Sequence, residues 1–330
     1  MLSTILVVVV LLALTFDFIN GFHDTANSIA TSVSTRVLSP RQAIIMAAGL
    51  NLLGALLSSK VAKTIATGLV NGSLPEYVII AAITAGIIWD LITWYFGIPS
   101  SSSHALIGGL IGASITYALS FDKIIWTGVL NKIVIPLLTS PLIGFILGFL
   151  VMNLLYTILR PFSQQFVNTW FSKLQIFSAA FMSLEHGRND AQKSMGIITL
   201  ALISANLLPK GADVPLWVMV ACAVAMAAGT SIGGWKIIKT MGVNMIRLQP
   251  IGGFAAETSA ALVISVASGL GAPVSTTHVI SSAIMGVGAS KRLSAVRWAL
   301  AKNIVWAWIL TFPATGLLGA LLASLLKLFF

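Results

Sequence analysis

Two acidic heptads carry the chemistry of this chain. Gly21-Phe22-His23-Asp24-Thr25-Ala26-Asn27 recurs 166 residues later as Gly187-Arg188-Asn189-Asp190-Ala191-Gln192-Lys193. Each copy adjoins stretches apolar enough to lie in a membrane, where a carboxylate is costly and marks an ion or substrate pathway. Asp24 and Asp190 could hold a Na⁺ or take up a proton there. Asn27, Asn189 and Gln192 add neutral oxygens and donors beside them, and Asp24, Asn27, Asn189 and Asp190, with Glu257, form the candidate cation-coupling set. Lys193 stands where Asn27 stands in the first copy, so the two halves are not chemically equal.

A second pair of motifs points to the substrate. Pro99-Ser100-Ser101-Ser102-Ser103-His104 matches Pro273-Val274-Ser275-Thr276-Thr277-His278 at an offset of 174. Proline suits the first turn of a helix and Ser or Thr suits its cap. Each run therefore predicts a helix start inside the apolar region, with free N–H groups, hydroxyls and the positive end of a dipole. Such a start is a ready anion site. Ser101, Ser102 and Ser103 with Ser275, Thr276 and Thr277 would surround a small tetrahedral oxyanion with neutral donors. Asp24 and Asp190 would face an anion that keeps an O–H, as phosphate does at neutral pH and sulfate does not.

The elements that must position these groups follow from composition. Of 330 residues, 57% are hydrophobic and 8% charged, against about a quarter charged in soluble domains. Apolar runs near 2–19, 42–59, 77–96, 133–158, 215–235, 252–270 and 301–326 predict membrane spans at roughly 20 residues per crossing. Shorter runs near 24–34, 104–119, 174–184, 195–208 and 279–289 predict half-helices or parts of broken helices. The start of the chain lacks the basic residues of a cleaved signal, so 2–19 reads as a retained span with its N-terminus outside the cytoplasm.

Further anchors extend the duplication. Lys60-Val-Ala-Lys63-Thr64 matches Lys236-Ile-Ile-Lys239-Thr240, and Trp126, Asn131, Thr139, Pro141 and Gly144 match Trp298, Asn303, Thr311, Pro313 and Gly316. The expected domains are a first membrane repeat, 1–159, a short linker, 160–173, and a second repeat, 174–330. Each repeat should hold a broken first helix with the Asp motif, two full spans, a half-helix entered through the Pro-Ser run, and a long span with a mid-helix proline. An odd number of crossings would insert the second repeat upside down. The result would be an all-α polytopic membrane protein of roughly 10–12 segments, with two inverted-topology repeats whose broken helices meet near the midplane.

The formal charge of +10 is spread over short connections, which suits anchoring in the cytoplasmic loops. No basic stripe interleaved with aromatics points to nucleic acid. The single cysteine, Cys222, excludes an intrachain disulfide. Asp90 and Glu257 also fall in apolar spans without being equivalent under the repeat, and rank behind the two motif aspartates. His104 and His278 match one another and suit core roles. The paired motifs argue against an enzyme, since an active site needs one asymmetric set, and no metal-ligand spacing or Gly-x-Ser-x-Gly elbow is present.

The two heptads, the two Pro-Ser runs and Gly253-Phe-Ala-Ala-Glu257-Thr-Ser resemble the inorganic phosphate transporter family, over essentially the whole chain. The resemblance implies a dimeric symporter of the cell membrane that carries phosphate at the Ser/Thr-rich helix starts. It implies cation sites beside the aspartates, with Glu257 among the coupling residues and a Na⁺ at Asp24 or Asp190. The His23-Asp24 form looks more like the bacterial proton-coupled permeases than the sodium-coupled members, which leaves H⁺ and Na⁺ both open. A sulfate permease of the same fold is the alternative. A membrane-embedded phosphatase and an anion channel are weaker ones.

Overall fold

A computed structural model describes residues 4–329. Residues 1–3, with the start of the span expected at 2–19, and residue 330 lie outside the described residues. The first half consists of α1 (Thr4–Ser34), α2 (Pro40–Ala55), α3 (Lys60–Thr67), α4 (Glu76–Phe96), α5 (Ser102–Ala118), α6 (Trp126–Gly128) and α7 (Ile135–Leu159). A π-helical turn, Val129–Val134, makes α6 and α7 one continuous rod. The second half consists of α8 (Gln164–Asp190), α9 (Gln192–Ser204), α10 (Leu216–Thr230), α11 (Trp235–Lys239), α12 (Pro250–Gly269), α13 (Thr276–Lys291) and α14 (Trp298–Leu326).

Five of these elements are long and apolar enough to cross a membrane: α1, α4, the α6–α7 rod, α12 and α14. Two bent pairs, α2–α3 at 63° and α10–α11 at 62°, raise the number to seven. The shorter α5, α9 and α13 and the more polar α8 are the remaining long helical segments. The prolines expected inside the last span of each half, Pro141 and Pro313, lie inside α7 and α14.

Local sequence explains the boundaries. Ser39 caps α2 in a reciprocal box with Gln42, and Pro40 fills the first turn. Gly97 ends α4 in the left-handed region, at φ 66°. Ser101 and Ser275 cap α5 and α13 alike, each accepting from the backbone N–H three residues on, at 3.2 Å.

Three expectations need correction. The first helix is not broken in the first half: α1 runs unbroken for 31 residues through Asp24. The interruption occurs only in the second half, at Ala191. There Gln192 donates to Arg188 O at 2.5 Å, and its Oε1 accepts from Val61 and Ala62 N–H at the start of α3. The Gln192 side chain thus takes up the Arg188 carbonyl at the interruption and caps the start of α3. The second element of each half is a bent pair, not a straight span. The linker expected at 160–173 shrinks to 160–163, because Ser163 caps a helix that begins at Gln164.

The two halves hold one another by reciprocal contacts. Lys60 donates to the Gly269 carbonyl at the end of α12, at 3.1 Å, and its counterpart Lys236 donates to the Tyr95 carbonyl near the end of α4, at 2.8 Å. Thr64 bonds Gly271 O at 2.7 Å, and its counterpart Thr240 bonds Gly97 O at 2.9 Å. A Cβ at Gly54 would fall 2.0 Å from Leu184 O, and one at Gly229 would fall 1.9 Å from Phe18 O. The same close crossing is therefore used twice, with the halves exchanged. The half-helices are exchanged too: α5 packs on α14, and α13 on α7.

Two apolar cores result. One gathers the first part of α1 with α3, α4, α5, α9 and α10. The other gathers the last part of α1 with α2, α7, α8, α12 and α13. Helix α1 passes through both, and its buried polar residues Asp17, Asn20, His23, Asp24 and Thr25 fall between them.

Candidate functional site

The two helix starts and the two aspartates converge at that junction. Ser102 Oγ, in the first turn of α5, donates to Asp24 Oδ2 at 3.1 Å. Its counterpart Thr276, in the first turn of α13, donates to Asp190 Oδ2 at 3.2 Å. The halves are then crossed: Thr277 Oγ1 lies 3.4 Å from Asp24 Oδ1, and Asn27 Nδ2 donates to Thr276 and Thr277 at 3.0 and 2.9 Å. Asn189 Nδ2 donates to Asp190 Oδ1 and to Val274 O, at 2.8 and 2.9 Å. Ser103 also donates to Val274 O, at 3.1 Å. None of these residues is more than 2% exposed.

The candidate residues divide by role. Ser102, Thr276, Thr277, Asp24, Asn27, Asn189 and Asp190 form one hydrogen-bonded cluster. Ser101 and Ser275 turn away to cap their helices, and Ser103 fastens the connection before α13. Glu257 lies apart on α12, where Thr31, Ser178 and Gln175 donate to its carboxylate. It joins the end of α1 to α8 and touches neither motif aspartate.

Each motif carboxylate also meets a nitrogen. His23 Nδ1 is 2.7 Å from Asp24 Oδ1, and His23 Nε2 is 3.0 Å from Thr93 Oγ1. Lys193 Nζ is 3.0 Å from Asp190 Oδ2, with the lysine 1% exposed. His186 Nε2 is 3.4 Å from the same oxygen. Its Nδ1 faces Asn51 Oδ1 at 3.1 Å, and Asn51 uses its amide N to donate to Thr230. With Nδ1–H donating to Asn51, Nε2 is an acceptor facing an acceptor, a pair that a proton or a cation would join. Asp24, His186 and Asp190 bring one ligand atom each within 4.8 Å of one another. Asn27 Oδ1 is a further buried acceptor with no hydrogen-bond partner among the described residues. Hard oxygens and an imidazole suit a cation, so the donor set fits the Na⁺ expected at Asp24 and Asp190, although the Lys193 ammonium already lies against one of the two.

Sequence reasoning missed His186 and left Lys193 unassigned. The signal for His186 was its position four residues before Asp190, which puts both on one helix face. His104 and His278 are buried side by side. Their rings lie 5.1 Å apart, and His278 stacks on Trp308 at 4.1 Å, so the two half-helices meet ring to ring just behind their first turns.

Known proteins match this chain. The model of the phosphate transporter family matches residues 20–167 and 159–319. The chain is 50% identical to a probable low-affinity inorganic phosphate transporter of Bacillus subtilis, over 98% of each chain. It is 49% identical to one of Rhizobium meliloti, over 96% of this chain and 95% of the relative. The solved structure of a sodium-dependent phosphate transporter superposes with a TM-score of 0.88 at 26% identity, covering 99% of this chain and 100% of the other. The duplicated polar site, the seven candidate spans and these matches agree: the chain belongs to the phosphate transporter family, as a polytopic membrane protein that transports phosphate and is not an enzyme.

Proposed function

We propose that the chain imports phosphate by symport with a cation, binding the anion between the first turns of α5 and α13. The observation that carries this is the crossed set of bonds in which hydroxyls from both helix starts converge on Asp24 and Asp190. Two N-terminal dipoles and neutral hydroxyls stabilise an oxyanion, while the buried Lys193 ammonium is held against Asp190.

The same bonds supply a coupling mechanism. With Asp24 and Asp190 ionised, Ser102, Thr276 and Thr277 commit their O–H groups to the carboxylates. A proton or cation on a carboxylate cancels its repulsion of the anion and releases those hydroxyls to the phosphate oxygens. Phosphate and cation then enter and leave together. Protons are favoured as the coupling ion by the nitrogens already seated against the carboxylates: His23 on Asp24, and Lys193 and His186 on Asp190. Sodium is the second reading, supported by the ligand atoms of Asp24, His186 and Asp190 within 4.8 Å of one another and by the sodium dependence of the structurally similar transporter.

The site is buried, so transport needs it to open to each side in turn. Two halves joined by exchanged contacts suit an inverted pair that rocks about the site in alternating access. Uptake of labelled phosphate into proteoliposomes, under separately imposed proton and sodium gradients and with excess sulfate, tests the proposal. Accumulation driven by the proton gradient and indifferent to sulfate is expected. Uptake that only equilibrates, whatever the gradient, would mean that the cation is not coupled.

A further inference from the structure

We propose that the chain binds the headgroup of an anionic phospholipid in a basic cleft at the far end of α13. Arg247, Lys291, Arg292 and Arg297 line this cleft with Ser294, around a volume of about 400 Å³. All four cations are exposed, and none forms an ion pair or a side-chain hydrogen bond within the described residues. Between Thr240 and Trp298 the only acidic residue is Glu257, which is buried elsewhere. Among the described residues, no acidic group pairs with the cluster.

The backbone holds the cluster open. Arg292 is extended, at φ −171°, and ends α13. A short 3₁₀ turn, Leu293–Ala295, follows, and the Arg297 N–H donates to Met245 O at 3.1 Å. That bond ties the start of α14 to the segment carrying Arg247, so cations from two connections face one space.

The cluster has no equal in the first half. The repeat sets Tyr117, Ala118 and Ile125 of the first half opposite Lys291, Arg292 and Arg297. The matching connection takes a different course, with Leu119 left-handed, and carries a single cation, Lys123, next to Asp122. The charge asymmetry matches the rule that Lys and Arg gather on the cytoplasmic side, where the leaflet is anionic.

A lipid fits better than a free ion because the cleft has an apolar continuation. Arg247 and Lys291 also line the adjoining groove, with Met152, Tyr156, Ile251 and Val287. This groove opens beside α7, whose Leu150, Leu154 and Ile158 are more than half exposed and face outward. Tyr156 on α7 and Trp298, next to Arg297, are 42% and 45% exposed, and such amphipathic rings sit at headgroup level. A phosphodiester would take the cations while its acyl chain follows α7. Inorganic phosphate would use the charge and leave the groove without a role.

The test uses the full-length chain purified in neutral detergent. Thermal unfolding is followed while phosphatidylglycerol, phosphatidylcholine or inorganic phosphate is titrated in. Phosphatidylglycerol should raise the melting temperature and phosphatidylcholine should not. Arg247→Gln with Arg292→Gln should weaken the apparent lipid affinity roughly five-fold per charge removed. The charge-keeping pair Arg247→Lys with Arg292→Lys should retain it, which separates binding from loss of fold. Phosphate uptake by the Gln pair in phosphatidylcholine vesicles should equal that of the unsubstituted chain. Equal phosphatidylglycerol shifts in the Gln and Lys pairs, or no shift in the unsubstituted chain, would overturn the proposal. A shift with inorganic phosphate that the Gln pair loses, without one from lipid, would assign the cleft to free phosphate and overturn it as well.

Discussion

Lys193 holds its ammonium 3.0 Å from the Asp190 carboxylate, deep in the protein, at the position that Asn27 occupies in the other half. A buried ion pair that loses one member leaves a charge uncompensated, at a cost of about 3–5 kcal/mol. Lys193→Asn restores the residue of the first half and leaves Asp190 in need of another cation. Uptake by this variant should become sodium-dependent, at least about ten-fold faster in sodium than in choline at the same pH gradient. The unsubstituted chain should show no such difference. Equal rates for the variant in both buffers, close to those of the unsubstituted chain, would leave Lys193 with a packing role only.

Asp24 accepts from Ser102 and sits against Thr277, so it borders the space between the two helix starts. Once a cation offsets its charge, a carboxylate there accepts the O–H of an anion that keeps one and meets only acceptor oxygens on an anion that has none. In Asp24→Asn the amide presents a donor as well as an acceptor. Proton-driven accumulation should disappear, and excess sulfate should compete with the residual phosphate exchange. A hydrogen bond to a charged group contributes about 1.5–3 kcal/mol, so selectivity should fall by roughly 10- to 100-fold. Unchanged discrimination against sulfate would remove Asp24 from contact with the substrate.

The hydroxyls separate into two kinds, and kinetics can tell them apart. Ser102 and Thr276 point at the carboxylates, whereas Ser101 and Ser275 cap the same helices. Ser102→Ala and Thr276→Val should each raise the apparent KM for phosphate about five- to ten-fold, the effect of one lost hydrogen bond. Ser101→Ala and Ser275→Ala should lower the melting temperature, at about 1 kcal/mol per lost cap, and change KM little. Equal KM effects in both pairs would mean that the anion binds at the caps themselves.

The sequence exposed the parts of the site that occur twice. Asp24 with Asp190 and Ser102 with Thr276 stand out because each residue vouches for its counterpart. The prolines before α5 and α13 fix where those helices start. His186 stayed hidden because its counterpart at the repeat offset, Asn20, carries no matching chemistry. The unbroken α1 was equally hard to foresee. A polar heptad in an apolar helix looks like a break, yet here neighbouring helices take up its side chains: Thr93 meets His23, and Thr276 with Thr277 meets Asn27. Glu257 was legible as a buried carboxylate, but its partners Thr31, Ser178 and Gln175 come from two other helices, and no spacing announces them.

The exchanged lysine caps give the pairing of the halves its own test. Lys60 reaches the last carbonyl of α12, and Lys236 reaches a carbonyl in the last turn of α4. A cation at a helix C-terminus contributes about 0.3–1 kcal/mol at an exposed site. Lys236 also lies over the Tyr95 ring, with its nitrogen 4.6 Å from the ring centre, which adds about 0.5–1 kcal/mol. Lys60→Met and Lys236→Met should therefore both destabilise the chain, with the loss at Lys236 larger by about the cation–π contribution. The two sites share no contact residue, so the double variant should lose the sum of the two. A loss at only one site would mean that the halves are not held by equivalent contacts. Additive losses would support rigid halves whose shared boundary can shift as the site opens to one side or the other.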